Sequence, residues 1–493
     1  MATPEASYKR ILKATSLFSG VQVFSIIISL IKSKIAAVLI GVTGIGILGV
    51  FNATVNLLQA VTKLGLDVSS VKEIALANST SNFKKASRLA VVLKRLAWLT
   101  GVLGALLIIV FSSPLSKLAF NDSSYAFSFV LLSIAILFNQ LSISNIAILQ
   151  GFRSLKNMAF ASVFSSLVSL IVAVPFYYFY GKKGIVPVLI ISAFVAYLIS
   201  RYFTKSLHIK LSKISLKQTL TEGKSMLRLG FVLNLGSLTT IVTAFIIQIF
   251  ITKKGGELDI GFYNAGFVII NTYVSVIFDA MSKDYFPRLA EVSKDNKLMF
   301  KIVNQQALIA VLLITPIIIL FIALSPLVVH VLYTEEFTPI IGMLTFGIFG
   351  TLFKAVSWAI GFVFIAKGDG KLYFKTEVIA NLLMLSILLL SYIYYGITGV
   401  GVGFAIYYFI YLIIVKVISF KKYKLELEKR FLKIFCVSVC FCLIMLATYF
   451  IENTIIKYSV MAVLIISSCI FTFLQLDKLV QLKQAIKNSI NKK

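Results

Sequence analysis

About fourteen apolar stretches of roughly 20 residues recur along this chain, each long enough to cross a hydrocarbon layer about 30 Å thick as an α-helix. They are centred near residues 24, 54, 100, 136, 169, 194, 239, 271, 313, 352, 386, 409, 442 and 466. Backbone in lipid must satisfy its own N–H and C=O groups, so stretches of this length read as helices. The expected fold class is an all-α polytopic membrane protein. The chain has 493 residues, 59% of them hydrophobic and 14% charged. Soluble domains carry about 25% charge, so the apolar surplus is not one large core. A single-span receptor and a peripheral enzyme are both excluded.

The formal charge of +29 would suggest nucleic acid in a soluble protein. Here most lysines and arginines gather in short connections on one side of the spans, which is the positive-inside pattern. No nucleic-acid partner is expected. An even number of spans puts both termini on one side, and the charge bias makes that side cytoplasmic. Lys9, Arg10 and Lys13 precede the first apolar stretch. That stretch is too long for a signal-peptide core and reads as the first span. No connection is long enough to hold a soluble domain. The four cysteines (Cys436, Cys440, Cys442, Cys469) lie in apolar runs. They lack metal-ligand spacing with a histidine and read as small core residues. Neither a metal nor a cofactor is expected.

The chain resembles itself. Gln22, Ser25, Gly49, Asn52, Ala53 and Asp67 match Asn234, Ser237, Gly261, Asn264, Ala265 and Asp279 at a shift of 212. Lys156, Tyr180, Gly181 and Gly184 match Lys371, Tyr395, Gly396 and Gly399 at a shift of 215. Each half then holds six spans and enters the membrane with the same polarity. Two such lobes are related by an axis along the membrane normal. The expected organisation is a six-helix lobe over 1–204, a cytoplasmic linker over 205–225 and a second six-helix lobe over 226–420. Two further helices and a basic tail occupy 421–493. Paired lobes of this kind enclose a central cavity and can rock about it, which is transporter architecture.

Lys354 is the sharpest local signal. Fourteen uncharged residues precede it and twelve follow it within 340–366, so it falls near mid-membrane. A charge there costs about 2.5–3.5 kcal/mol on insertion scales. Gly347, Gly350, Thr351, Ser357 and Gly361 share its helical face, and such a small, polar stripe faces protein or water rather than lipid. Packing against a carboxylate is the bland alternative. In the first span Gln22, Ser25, Ser29 and Lys32 share a face with Lys34 close by; the second half offers Asn234, Ser237 and Gln248. Lys32 and Lys34 could instead snorkel to the outer surface. Asn52 and Asn264 add polar groups at equivalent positions. Asp67, Asp279 and Glu377 are candidate sites for a coupling ion. Asp67 and Asp279 could equally pair with Lys63 and Lys283, and Glu377 could simply favour a helix start. Lys94 and Arg95 read as boundary charges that set topology.

Several chemistries are missing. No GxxxxGK[ST] occurs; Gly368-Asp369-Gly370-Lys371 lacks the loop length and the hydroxyl. His208 and His330 lie in or beside loops, so no buried histidine suits an acyltransferase. A glycan polymerase or transferase would need a large loop that is absent. A drug or cation antiporter would favour buried acids over a buried lysine. A scaffold for glycan assembly would leave Lys354 unexplained.

Three stretches resemble the Wzx-type O-antigen translocases, especially their enterobacterial-common-antigen branch. They are Leu149-Gln150-Gly151-Phe152-Arg153, then Phe286-Pro287-Arg288-Leu289-Ala290-Glu291, and the run from Phe337-Thr338 through Lys354 to Phe374-Lys375-Thr376-Glu377-Val378. The segment from Lys34 to Gly46 also fits. The resemblance spans about the first 420 residues and implies the multidrug/oligosaccharidyl-lipid/polysaccharide exporter superfamily. It implies a flippase, not an enzyme, in the bacterial inner membrane. The substrate would be an undecaprenyl-pyrophosphate-linked oligosaccharide moved from the inner to the outer leaflet, as in O-antigen or lipopolysaccharide assembly. Membrane lipids, and a glycan polymerase with its chain-length machinery, would be the partners. Lys34 and Lys354 match the family's basic cavity residues; Arg153 and Glu377 match its pattern at the inner boundary. The extra pair of C-terminal spans departs from the usual twelve and is shared with lipid II flippases.

Overall fold

A computed structural model describes residues 4–79, 82–209 and 214–480; the side chains of 4–23, 25–26, 79, 272–277, 279–280, 283–284, 287 and 479–480 lie outside that description. Within the described residues every regular element is helical. In chain order these are α1 Pro4–Thr62, α2 Leu66–Ser79, α3 Phe83–Val110, α4 Ser112–Phe120, α5 Ala126–Gly151, α6 Leu155–Tyr180 and α7 Ile185–Lys205. There follow α8 Leu216–Glu291, α9 Asn296–Leu332, α10 Ile340–Ala366, α11 Gly370–Tyr423, α12 Lys429–Ala447 and α13 Thr454–Val480.

Ten helical stretches among the described residues are long and apolar enough to cross a membrane. Four of them hold two successive apolar runs each: Ile27–Thr62, Leu155–Lys205, Leu216–Asn271 and Gly370–Tyr423. Each is broken by a glycine with left-handed φ, at Gly41 (67°), Gly181 (53°), Gly256 (70°) and Gly396 (56°). A right-handed helix cannot run through positive φ, and only glycine takes it without steric cost. Dividing the four stretches at these glycines recovers the fourteen apolar runs of the sequence.

The breaks expose the repeat in the backbone. Gly41 and Gly256 are 215 positions apart, as are Gly181 and Gly396, and as are Arg153 (φ 56°) and Gly368 (φ 72°). At the last pair the helix ends are closed alike. The N–H groups of Ser154 and Asp369 donate to the carbonyls of Leu149 (2.8 Å) and Phe364 (3.0 Å). Those of Arg153 and Gly368 donate to Gln150 (2.9 Å) and Ile365 (3.0 Å). This is the two-bond left-handed helix stop, used twice. Gly184 and Gly399 also match: a Cβ on either would overlap a carbonyl of the preceding helix, that of Phe176 or Ser391.

The residues form two compact units, Met1–Gly261 with Leu332–Thr334, and Phe262–Val331 with Glu335–Lys493. In the first, α3, α5, α6 and α7 pack side by side with α1 against α6. Its core at the basic helix ends includes Leu66, Ile74, Val92, Leu96, Ile148 and Met226. The start of α8 belongs here through close backbone contact: Gly65 and Gly230 face each other with no room for a Cβ on either. Asn234, which is buried, donates to the Ala60 carbonyl at 2.6 Å.

In the second unit α10 lies against α11. Gly347 and Gly350 admit Gly401, Phe404 and Ala405 of α11 at contact distance. Helices α12 and α13 share one core with α9 and α10 through Cys442, Met445, Met461 and Leu464. Buried Asn304 holds the approach to α12, donating to the Glu426 carbonyl (3.0 Å) and accepting from the Glu428 N–H (2.8 Å). The cysteine expectation needs correcting. Only Cys442 is core; Cys436, Cys440 and Cys469 are exposed, because their helices present one face outward.

Candidate functional site

Lys354 and Lys32, both singled out in the sequence, each line a cavity, one in each unit. In the second unit a cavity of about 300 Å³ lies between α10 and α11. From α10 it takes Lys354, Ser357, Trp358, Gly361, Phe362 and Ile365. These positions fall on one helical face at the steps that place side chains above one another. From α11 it takes Tyr373, Glu377, Tyr408 and Tyr411. The Lys354 ammonium stands 5.9 Å from the Phe278 ring centre and 5.5 Å from that of Tyr408. Ring faces attract a desolvated cation, so the aromatics hold the amine while leaving its N–H groups for another partner. Glu377 faces the same space, with the Tyr411 hydroxyl 3.5 Å from its carboxylate. Lys354 and Glu377, 23 positions apart in sequence, therefore share one chamber.

In the first unit a cavity of about 390 Å³ is lined by Ser29, Lys32 and Asn52 of α1, Asn139 of α5, Ser165 and Ser169 of α6 and Ser192 of α7. The Lys32 ammonium donates to Ser169 Oγ at 2.8 Å, and Ser169 shares a 2.8 Å hydrogen bond with Ser192. The amine is thus anchored on hydroxyl groups inside the unit rather than extended along the helix to an outer surface. No carboxylate lines this cavity. Its character is one cation among hydroxyls and amides.

The other anticipated residues are placed differently. Lys34, two positions from Lys32, points elsewhere on α1 and donates to the Tyr333 carbonyl. Arg153 is exposed at the left-handed stop after α5 and lines neither cavity. Asn234 is committed to Ala60 and accepts from Ser237 (3.1 Å), so this pair acts as a packing pin. Asp67 is ion-paired one turn away with Lys63 at 2.9 Å. Asn264 is half-buried, and its amide nitrogen has no hydrogen-bond partner among the described residues. The side chains of Gln22, Ser25, Asp279 and Lys283 lie outside the described residues. Among the described residues no group of His, Cys, Asp and Glu is arranged to hold a metal ion.

Two features were missed at the level of sequence. One is the aromatic wall of Trp358, Tyr408 and Tyr411, whose only trace was the Tyr407-Tyr408-x-x-Tyr411 spacing in an apolar run. The other is the serine set around Lys32, signalled by Ser165 and Ser169 one turn apart.

With this geometry established, comparison with known proteins adds three findings. Residues 35–342 match the family described as polysaccharide biosynthesis protein. No curated protein sequence matches the chain. Among solved structures, lipid II flippase MurJ in an inward closed conformation superposes with a TM-score of 0.69 at 17% identity, covering 93% of this chain and 99% of that one. An inward-facing multidrug resistance MATE family transporter of the MOP superfamily gives 0.68 at 16%, covering 82% and 94%. A MOP superfamily transporter from Pyrococcus furiosus, described as having a binding pocket of reverse polarity that suggests a different function, gives 0.62 at 16%, covering 84% and 96%. At these identities the likeness is one of fold: this chain has the helical fold of MOP superfamily transporters and is a multi-pass membrane protein.

Proposed function

The chain belongs to the polysaccharide biosynthesis protein family, and from that premise we propose that it is a flippase for an undecaprenyl-pyrophosphate-linked oligosaccharide. It would move this lipid from the inner to the outer leaflet of the bacterial cytoplasmic membrane by alternating access, with both termini cytoplasmic. The O-antigen type of unit, and the enterobacterial-common-antigen branch in particular, is the substrate class we favour.

The observation that carries this reading is Lys354 in the α10–α11 cavity. A mid-membrane ammonium is costly unless a partner offsets it. A pyrophosphate is dianionic, and charge-assisted hydrogen bonds to such oxygens are about twice as strong as neutral ones. The flat faces of Trp358 and Tyr408 beside it suit the C–H surfaces of sugar rings. Lys32, among hydroxyls and amides, is the second cation we assign to the substrate. Lys34 and Arg153, which lie outside both cavities, would meet the substrate only on its way in or out. Glu377 is the candidate coupling site, because its carboxylate shares the Lys354 cavity and could take up a proton as the substrate's charge arrives or leaves. The polyprenyl tail would stay in lipid throughout, and a polymerase would receive the product.

Lys354→Ala should abolish surface-glycan display in cells while protein level stays normal, and Lys354→Arg should restore part of it. Normal display with Lys354→Ala would remove this amine from the mechanism. Export of cationic dyes that depends on Glu377 but not on Lys354 would favour a drug antiporter instead.

A further inference from the structure

We propose that the first unit carries a separate binding site for the phosphate headgroup of an anionic membrane phospholipid, built between α3, α5 and α7. Each helix contributes residues one turn apart. Lys94 and Trp98 come from α3, Leu141, Ser144 and Asn145 from α5, and Tyr197 and Arg201 from α7. They enclose a pocket of about 220 Å³ that shares no residue with the Lys32 or Lys354 cavities.

Two cations face this pocket, and no carboxylate lines it. Among the described residues neither Lys94 nor Arg201 has an acidic partner within ion-pair distance. Like charges brought together without an acid are unfavourable unless an anion joins them. The neighbouring groups are already fixed in place. Arg201 donates to the Tyr197 hydroxyl at 2.8 Å and lies 5.9 Å from the centre of its ring. That hydroxyl accepts from Arg201 and keeps its own proton for a further acceptor. Buried Asn145 donates to Ser200 at 3.3 Å, and Thr204 donates back to the Asn145 carbonyl at 3.4 Å. Arg201 keeps further N–H groups in a planar fork suited to phosphate oxygens, and Lys94 supplies a point charge opposite.

The surroundings identify the source of the phosphate. Trp98, Phe194, Leu198 and Tyr202 are exposed beside the pocket, and apolar side chains of this kind on a membrane helix lie against acyl chains. The apolar runs of α3 and α7 begin and end at Leu96 and Ser200, next to the two cations. Lys84, Lys85, Arg88 and Lys205 mark the same helix ends as the basic ones. The pocket thus sits where a headgroup meets its tails, the level at which Trp and Tyr collect. A soluble phosphate would gain nothing from the flanking apolar surface.

The test is native mass spectrometry of the full-length protein released from nanodiscs, with cardiolipin, phosphatidylglycerol, phosphatidylcholine or inorganic phosphate supplied in turn. Wild-type protein should retain cardiolipin or phosphatidylglycerol and lose it in the double variant Lys94→Gln/Arg201→Gln. The expected drop in retention is about thirtyfold, each basic residue near an anionic membrane surface being worth a factor of about five. Arg201→Lys, which keeps the charge, should retain more lipid than Arg201→Gln, and elution as a single species verifies folding in each variant. Equal retention by wild type and double variant would overturn the proposal. So would retention of phosphatidylcholine to the same degree, or retention of inorganic phosphate alone.

Discussion

Lys354 and Lys32 illustrate two ways of keeping a cation inside an apolar helix bundle. One amine rests between ring faces, the other on the Ser169 hydroxyl, which is itself hydrogen-bonded to Ser192. Both leave donor capacity for a ligand. Neither mode could be read from sequence, where each lysine was only an isolated charge in an apolar run. What was legible was depth: the uncharged flanks of Lys354 put it within the membrane, and the small residues on its face required a protein or water environment. The partners were not legible, because they come from distant segments. Asn234 shows the opposite outcome. Its match to Gln22 suggests a cavity residue, yet its amide is consumed by packing against Ala60. Replacing it should therefore lower stability more than transport chemistry. Asn234→Leu leaves a buried carbonyl without its donor, a loss of about 1–3 kcal/mol, measurable as a lower unfolding temperature in detergent. An unchanged unfolding temperature would return Asn234 to the list of candidate substrate contacts.

At the scale of helices, glycines divide the work. Gly41, Gly181, Gly256 and Gly396 break helices at positive φ, Gly347 and Gly350 admit a neighbouring helix at ordinary φ, and Gly65 combines positive φ with close backbone approach. The self-similarity in sequence was carried by a few polar and glycine matches. In the backbone it becomes a repeated set of left-handed positions and a repeated helix stop. The pair Gly41 and Gly256 is invisible at the shift of 212 that aligns the residues on either side of Gly41, since these two glycines lie 215 positions apart. Gly41→Ala and Gly256→Ala should each cost about 1–2 kcal/mol, the strain of a left-handed L-residue. Gly361→Ala has open space and helical φ, so it should be neutral or stabilising in the same unfolding measurement. Gly184→Ala and Gly399→Ala should both depress folded yield, because each Cβ meets a carbonyl. Tolerance of one and not the other would show that the two halves are not equivalent at this turn.

For the molecule as a whole, apolar length settled the fold class. Soluble alternatives fail on composition alone, and fourteen runs in matching sets leave few architectures. The sequence places two further helices after the second lobe and leaves their role open. In the structure they share the second unit's core, joined through Asn304, Cys442 and Met445. Sequence could not reveal this, because lipid-facing and core-facing apolar residues look alike when both sides of a helix are nonpolar. In the proposed function, an amine in the second unit handles a diphosphate-headed lipid during its passage between leaflets. The most direct measurement is translocation in proteoliposomes loaded with a fluorescent undecaprenyl-diphosphate-linked oligosaccharide, scored by reduction of the dye exposed on the outer leaflet. The wild-type protein should move the lipid, and Lys354→Ala at equal reconstitution should be slower by about 10- to 100-fold, the loss expected for hydrogen bonds to a charged group. Equal rates for the two proteins, or no movement by the wild type, would contradict the account.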